Sequence, residues 1–419
     1  MSSSQQDPVE PSTSEASAMK VLMLTSVFPR WLGDATPPFV QNQAELLSAS
    51  GVEVSVLTPH AKGAARCETW NGVDVYRHVY AWPFGFQALC YQGGILVNLE
   101  SRPWTRLLLP FFFLSQLIAT VRLCIKLEPD IIHSHSLVPQ GFTAALASRL
   151  MGIPHLATSH GNDLFGLKPT GLMGLLKRKA LELSNAVTVN GRASIAAVRE
   201  LNPQLPDSKI HWIPAVPNAG QPDPATVESI RACYPAKKRI LFVGRMIREK
   251  GIFDLLDALG EFLPQHPEVC ALFVGDGVEL GKLESRVAAA NLSGQIHLAG
   301  WQAKEAIPSW MAAVDLLVVP SHREAQGLVI VEAMAVGTPV VAARVGGIPD
   351  LVRDGETGTL VEPGDVDGLC RAIHETLQAR DALRGISENA HALYDAQYSQ
   401  AAVRARLLEV YEQVGTQNR

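Results

Sequence analysis

Two short polar segments carry the residues best suited to chemistry. One reads P-S-H-R-E-A-Q-G-L-V-I-V-E at residues 320–332, and the other reads V-G-R-M-I-R-E-K-G at residues 243–251. Each continues an apolar run typical of a buried strand, so each is expected at the carboxyl edge of a sheet, where open α/β sheets bind ligands. Cations, carboxylates and glycines at such an edge favour an anionic, hydroxyl-rich ligand.

The first segment predicts an anion site at the start of a helix. Gly327 opens a helical stretch that Gly337 closes, and Pro339 prevents its continuation. The first N–H groups of a helix have no acceptor within it, so those of Gly327, Leu328 and Val329 are expected to bind an anion such as phosphate.

Two carboxylates lie on either side of this turn. Glu332 is about one turn into the helix, where it could accept hydrogen bonds from a diol such as a ribose, and Glu324 in the loop would reach a sugar hydroxyl. The alternative is a surface loop and a solvated carboxylate. A partner is favoured because a carboxylate on a helix rich in Ala, Met and Val is costly when it is unpaired.

The second segment predicts a diphosphate site. Gly244 turns the chain after a strand, and Arg245 and Lys250 follow five residues apart. An arginine can bind phosphate in a bidentate manner, and a lysine acts as a point charge. Both would stabilise a departing diphosphate more than the ground state. Charges on an exposed loop are the alternative.

Two α/β patterns must position these residues. Apolar runs alternate with helical stretches between residues 21 and 190 and again between 239 and 343, which predicts parallel sheets built from βαβ units. A Pro- and Gly-rich segment separates the two patterns. The predicted organisation is a disordered tail at 1–18, an α/β domain at 19–213, a linker at 214–224, a second α/β domain at 225–398, and a crossover helix at 399–419.

Composition narrows the class of protein. A chain of 419 residues suits two or three domains, and a net charge of −5 argues against a nucleic-acid partner. The six cysteines form no C-x-x-C pair, and the N-terminus lacks the pattern of a secretory signal. We therefore expect a cytoplasmic protein, either free or peripheral on the inner face of the membrane. Neither a disulfide framework nor a zinc site is expected.

The motifs together resemble the retaining GT-B nucleotide-sugar glycosyltransferases of family 4, the glycosyl transferases group 1. The resemblance runs from about residue 20 and is most specific in the second domain. Its motifs are the pair Glu324 and Glu332, G-R-x-x-x-x-K-G at 244–251, G-D-G at 275–277, V-G-G-x-P-D at 345–350 and D-G-x-T-G at 354–358.

The resemblance implies two Rossmann-like domains facing a cleft, with the donor, a nucleoside diphosphate (NDP) sugar, bound by the second. Arg245 and Lys250 would hold the diphosphate, Glu332 the ribose and Glu324 the donor sugar. Backbone near Gly327, Leu328 and Val329 would contact phosphate and sugar, and Gly275 and Gly277 would form part of the nucleotide site. Transfer would be retaining, and neither a metal nor a cofactor is expected.

In this family the first domain binds the acceptor. H-G-N-D at 160–163 resembles the family's H-G-x-D turn, which implies a catalytic role for His160 and an acceptor-side position for Asp163. His133 and His135 could chelate a metal by their spacing, but no further ligand supports this. Core or acceptor-side roles are favoured for both.

Two segments depart from the family pattern. Pro37 and Pro38 stand where a glycine is often found after the first strand, which leaves Gly33 to approach the donor or acceptor. Ala325 and Gln326 replace the common Gly-Phe pair before the helix glycine, and this bears on the identity of the donor sugar.

The acceptor is predicted from two further stretches. Residues 107–127 are strongly apolar, and residues 166–181 alternate apolar residues with Lys168, Lys177, Arg178 and Lys179. A membrane contact through 104–113 and 168–179 would indicate a lipid-linked or polysaccharide acceptor. The alternatives are a helix packed on the sheet and a solvated basic face.

Other classes fit the sequence less well. A nicotinamide dehydrogenase needs G-x-G-x-x-G after its first strand, and the first domain has none. A GT-B epimerase and a non-catalytic protein that binds sugar nucleotides remain alternatives, although none of the charged motif residues has been lost.

Overall fold

The structure is a computed structural model that describes residues 18–416 except 32, 35, 92–93, 167–169 and 219; the side chains of 162 and 380–382 are not described. The predicted disordered tail therefore lies almost wholly outside the described residues, as does Lys168.

Fourteen strands lie in the described part of the chain, and most coincide with the predicted apolar runs. They are β1 Lys20–Leu24, β2 Glu53–Pro59, β3 Cys67–Trp70, β4 Val73–His78, β5 Ile131–His135, β6 His155–Ser159, β7 Ala186–Val189, β8 Ile210–Trp212, β9 Lys238–Val243, β10 Val269–Val274, β11 Ile296–Gly300, β12 Leu316–Val319, β13 Val340–Ala343 and β14 Thr359–Val361.

Sixteen α-helices connect or cover these strands in the described residues. They are α1 Phe39–Ser48, α2 Ile95–Ser101, α3 Leu109–Leu127, α4 Phe142–Met151, α5 Asn162–Phe165, α6 Gly171–Leu183, α7 Ala193–Leu201, α8 Pro224–Cys233, α9 Ile252–Phe262, α10 Leu280–Ala289, α11 Ile307–Ala312, α12 Leu328–Val336, α13 Ile348–Leu351, α14 Val366–Gln378, α15 Arg380–Leu393 and α16 Gln400–Thr416.

The strands form two sheets, one in each predicted α/β pattern. The first has the order β3-β4-β2-β1-β5-β6-β7-β8, and the second has the order β11-β10-β9-β12-β13-β14. Every pairing is parallel except that of β3 with β4. Most of these strands are buried on both faces, which is why they read as continuous apolar stretches. The prediction of two Rossmann-like domains is confirmed.

The C-terminal helix crosses from the second domain back to the first, as predicted. Tyr398 still belongs to the second core, whereas Val403, Leu407 and Val410 of α16 pack into the first. Tyr411 is fully buried there, and its hydroxyl lies 2.7 Å from Nδ1 of His133 on β5. The helix therefore ties the two domains together beside the linker.

The basic face predicted for residues 168–179 is wrong at Lys177. The side chain of Lys177 is fully buried, and its Nζ lies 3.4 Å from the carbonyl oxygen of Leu164. Burial lowers the pKa of Lys177, although the charge of Asp163 opposes this shift. Lys179 is exposed and pairs with Glu182 at 2.6 Å. Helix α6 thus directs its first lysine inward, where it supports the turn after β6.

Candidate active site

At the carboxyl edge of the second sheet, the turns after β9 and β10 pack backbone against backbone. A Cβ at Gly275, whose φ is +138°, would lie 1.9 Å from the carbonyl oxygen of Gly244, and one at Gly277 would lie 2.5 Å from that of Met246. The amide of Met246 donates to the carbonyl of Asp276 at 2.9 Å. The two glycine motifs therefore form one unit that carries the exposed side chain of Arg245.

The segment that carries Lys250 is fixed to the loop after β12. A Cβ at Gly251, whose φ is +68°, would lie 1.9 Å from the carbonyl oxygen of Pro320, so only glycine permits this approach. The amide of His322 donates to the carbonyl of Glu249 at 2.9 Å.

This arrangement brings together two predicted site residues. Nζ of Lys250 lies 2.5 Å from Oε2 of Glu324, and the two side chains are only 22% and 14% exposed. A lysine and a carboxylate held at the mouth of a sheet can bind a phosphate and a hydroxyl next to each other.

Helix α12 begins at Leu328, as predicted, with Gly327 as its N-cap at φ +91°. A Cβ on Gly327 would lie 3.6 Å from Cγ of Glu324, so the Glu324–Lys250 pair stands beside the helix start. Helical geometry leaves the amides of Leu328 and Val329 without an intrahelical acceptor. The helix start and the lysine together can hold an anion.

Glu332 is held by a hydrogen-bonded chain that runs across both domains. Asn218 in the linker donates to Oε1 of Glu332 at 2.5 Å and accepts from Asn42 of α1 at 3.1 Å. Lys304 of the second domain donates to Oδ1 of Asn42 at 3.2 Å. Burial raises the pKa of Glu332 to about 7, although the Asn218 bond opposes the shift.

The loop before α12 touches the first domain at two glycines. A Cβ at Gly161 would lie 2.8 Å from Cβ of Ala325, and one at Gly191 would lie 2.7 Å from its carbonyl oxygen. The side chain of Gln326 accepts a 2.8 Å bond from the amide of Ala215 in the linker. The two residues that depart from the family pattern therefore make contacts between the domains.

The same loop is pressed against the V-G-G turn of its own domain. A Cβ at Gly346 would lie 1.7 Å from the carbonyl oxygen of Glu324, and one at Gly347 would lie 2.4 Å from that of Ala325. These glycines set the position of the Glu324 backbone.

His160 follows β6 on the opposite side of the domain boundary. Asn190 donates its amide to the carbonyl of Ile213, which leaves its Oδ1 to accept from Nδ1–H of His160 at 2.6 Å. Nε2 of His160 then accepts from Nδ1 of His135 at 3.0 Å. Burial lowers the pKa of His160, although the charge of Asp163 and the hydrogen bond to Asn190 oppose this shift. Because Nδ1 donates and Nε2 accepts, these hydrogen bonds fit one tautomer of the neutral imidazole.

Two further first-domain candidates, His135 and Asp163, lie close to His160. His135 is 1% exposed and stacks parallel to His160 with ring centroids 5.2 Å apart. Asp163 is buried and accepts bonds from the amide of Leu137 at 2.6 Å and the hydroxyl of Ser159 at 2.7 Å. Asp163 therefore stabilises the turn after β6. It lies on the predicted acceptor side, but its carboxylate is buried and is not exposed to the cleft.

The described residues include no group of three or more His, Cys, Asp or Glu side chains arranged to hold a metal ion. His133 instead bonds Tyr411 and Thr158, the latter at 2.6 Å from Nε2. Of the two roles favoured for His133, the structure gives it the one in the core.

A cavity of about 320 Å³ opens between the loop after β1 and the segment after β11. Gly33, at φ +80°, lines it together with Trp31, Trp70, Trp301 and Lys304. Because Lys304 also bonds Asn42, the cavity adjoins the chain that ends at Glu332. Gly33 is thus placed at the boundary between the domains.

Two residues of this site escaped sequence reasoning. Asn190 follows β7 as His160 follows β6, so its position at a neighbouring strand end was a usable signal. Asn218 lies in the Pro- and Gly-rich linker, 114 residues from Glu332, and nothing in its sequence neighbourhood marks it.

Two Rossmann-like domains face each other, with a lysine, a carboxylate and a helix start together at the edge of the second sheet, and this is the GT-B architecture. Comparison with known families agrees: the model for glycosyltransferase family 4 matches residues 38–215, and that for glycosyl transferases group 1 matches residues 229–393. The chain belongs to the group 1 glycosyltransferases.

Individual relatives support the assignment over most of the chain. An uncharacterized glycosyltransferase of Methanocaldococcus jannaschii is 31% identical over 62% of this chain and 69% of its own. D-inositol 3-phosphate glycosyltransferase of Thermobispora bispora is 28% identical over 89% and 88%. Among solved structures, Anabaena HepE in complex with UDP and glucose matches with a TM-score of 0.70 and 22% identity, over 94% of this chain and 99% of HepE.

The packing of the Glu324 loop predicts the effect of one methyl group. Gly346→Ala places a Cβ 1.7 Å from the carbonyl oxygen of Glu324, so the loop must shift. We expect the free energy of unfolding of the second domain to fall by about 3 kcal/mol or more. Gly355→Ala is the matched control, since its φ of +73° is similar but its Cβ meets nothing within 4 Å. Urea denaturation measures both; equal losses would contradict the account of the loop.

Proposed function

We propose that this glycosyltransferase is a retaining, metal-independent hexosyltransferase that moves the hexose of a UDP- or GDP-hexose to an acceptor hydroxyl and releases UDP or GDP. The observation that carries the proposal is the pairing of Lys250 with Glu324 at the start of α12. The likeness to HepE, which was solved with UDP and glucose, favours UDP as the nucleotide.

The second domain supplies the groups that stabilise the leaving diphosphate. During transfer the bond between the anomeric carbon and the diphosphate oxygen breaks, and negative charge gathers on the phosphate. Lys250, the exposed Arg245 and the free amides of Leu328 and Val329 are suited to receive that charge. The acceptor oxygen attacks on the same face, and its proton passes to the departing phosphate oxygen.

Glu324, Glu332 and His160 orient the donor in this proposal. Glu324 binds a sugar hydroxyl. Glu332 binds the ribose diol once its hydrogen bond to Asn218 has broken. His160 directly precedes Gly161, which touches Ala325, the neighbour of Glu324. The histidine and the glutamate therefore approach the donor sugar from opposite domains.

The first domain receives the acceptor, with Gly33 and the rings of the cavity near its entrance. His135 supports the acceptor side indirectly, because it fixes the ring of His160. We propose a lipid-linked or polysaccharide acceptor, with the reaction in the cytoplasm or at the inner face of a membrane.

The transfer reaction tests this proposal directly. With a UDP- or GDP-hexose, ¹H NMR of the product should show the anomeric configuration of the donor. Glu324→Gln should lower kcat by about 100-fold or more while donor affinity changes only a few-fold, because the residue acts on the reacting sugar. The control Glu388→Gln, on the exposed face of α15, should leave kcat unchanged. An inverted product would refute retention, and wild-type protein that binds donor without transfer or hydrolysis would indicate a binding protein.

Donor binding should depend on pH through Glu332. Its carboxylate must be ionised to accept two ribose hydroxyls, and with a pKa of about 7 it is mostly neutral at pH 6 and mostly ionised at pH 8. The Kd of a nucleotide sugar should therefore fall roughly tenfold over this range. A nucleotide sugar is the suitable probe, because its diphosphate has no titration near neutral pH.

Calorimetry at several pH values measures this dependence, and Glu332→Gln is its control. The variant should bind more weakly and show no such slope. A wild-type Kd that is constant between pH 6 and 8 would contradict the binding of the ribose by Glu332. An equal pH dependence of Kd in the variant would contradict it as well.

A further inference from the structure

Helix α3 exposes several large apolar side chains to the solvent while two of its polar side chains are buried. Gln116 and Thr120 are fully buried, and Gln116 accepts a 2.7 Å bond from Thr143. On the outer face, Phe111 is 61% exposed and Leu114 is 57% exposed. Large exposed apolar side chains are unusual on a surface helix of a water-soluble domain.

The exposed residues continue beyond the helix into one surface, here called the α3 surface. Phe86 and Trp104 meet edge to face at 6.1 Å, and Trp104 precedes the helix in the chain. The α3 surface consists of Phe86, Trp104, Leu107, Phe111, Leu114, Ile118 and Ile125, all more than 40% exposed. An aromatic side chain offers roughly 150–250 Å², so the α3 surface reaches or exceeds the roughly 300–600 Å² typical of the largest apolar patch on a monomer.

The α3 surface is a fixed feature of the fold. Asn98 is buried and donates to the carbonyls of Leu89 and Tyr91, and Thr105 donates to the carbonyl of Asn98. These bonds hold the segment before α3 against the buried ring of Phe112 and its neighbours. The backbone that carries the exposed side chains is therefore anchored to the first domain.

Charge distinguishes among the possible occupants of this surface. Residues 102–127 contain four cations, Arg102, Arg106, Arg122 and Lys126, and no Asp or Glu. Arg106, Arg122 and Lys126 are exposed beside the apolar face. Apolar and aromatic side chains flanked by arginine and lysine suit the interface of an anionic bilayer, which accepts the rings and attracts the cations.

We propose that the α3 surface docks this enzyme on anionic lipid bilayers as a peripheral protein. Residues 103–127 are long and apolar enough to span a bilayer by length and composition, but one face of the segment is packed in the first domain. The helix therefore lies along the interface. The second segment expected to contact the membrane, around α6, contributes less, because Lys177 is buried.

Docking on this surface would bring the cleft to the membrane. Tyr91, from the segment that α3 packs against, lies 5.2 Å from the guanidinium of Arg30, which also covers the ring of Trp31 at 4.3 Å. Trp31 lines the cavity between the domains. This consequence, access of a bilayer-held acceptor to the cleft, rests on the proposed function, whereas the docking surface itself does not.

Flotation of the full chain with vesicles tests the proposal. Wild-type protein should float with vesicles that contain about one third phosphatidylglycerol and far less with phosphatidylcholine alone, and added salt should weaken binding. Phe111→Gln/Leu114→Gln should lower the partition coefficient at least about tenfold, since each side chain loses most of its transfer free energy. Both positions are exposed, so the variant keeps its fold, which circular dichroism verifies.

A matched control lies on the other exposed apolar helix. Leu172→Gln/Leu175→Gln replaces two exposed leucines of α6 and should lower the partition coefficient far less than the Phe111/Leu114 variant does. Hydrolysis of a nucleotide sugar by the Phe111/Leu114 variant should be unchanged in solution, so loss of docking and loss of catalysis are distinguishable. The proposal is overturned by wild-type protein that does not float, by equal flotation of the Phe111/Leu114 variant, or by a wild-type dimer that this variant converts to monomers without vesicle binding.

Discussion

The whole site depends on how closely other backbones approach the loop between β12 and α12. The carbonyls of Glu324 and Ala325 occupy the space of a side chain at Gly346, Gly347 and Gly191. Larger residues at these three positions would push the loop away from both domains. The loop carries Glu324, meets Lys250 and ends at the helix start, so its position decides whether cation, carboxylate and helix amides can act on one ligand.

The loop also makes the relation between the domains part of the site. Gln326 bonds the linker at Ala215, and Glu332 bonds it at Asn218, which in turn bonds α1. A donor that replaces Asn218 at Glu332 would break one of these bonds and leave the other. In the proposed function, domain arrangement and donor binding are therefore coupled through Gln326 and Glu332, two side chains of one helix-and-loop unit.

The sequence predicted the buried part of the fold well, because strands covered on both faces must be continuous apolar runs. It missed β3, β8 and β14, which are three or four residues long and only partly buried, so no periodicity marks them. It predicted the Glu324, Glu332 and Lys250 motifs, which lie at strand ends and a helix start. It could not place Lys177, since a basic residue at helical spacing reads as exposed, nor the bonds of Asn42 and Asn218, which are 176 residues apart.

The central claim is that Lys250 and the start of α12 form a site for a diphosphate. Calorimetric titration of UDP and UMP tests it, with GDP and GMP if the uridine nucleotides do not bind. We expect the diphosphate to bind about 100-fold more tightly than the monophosphate, and Lys250→Met to reduce that ratio to about tenfold or less. Lys237→Met, at an exposed position, should preserve it. Equal affinities in the wild type, or a ratio unchanged by Lys250→Met, would contradict the account.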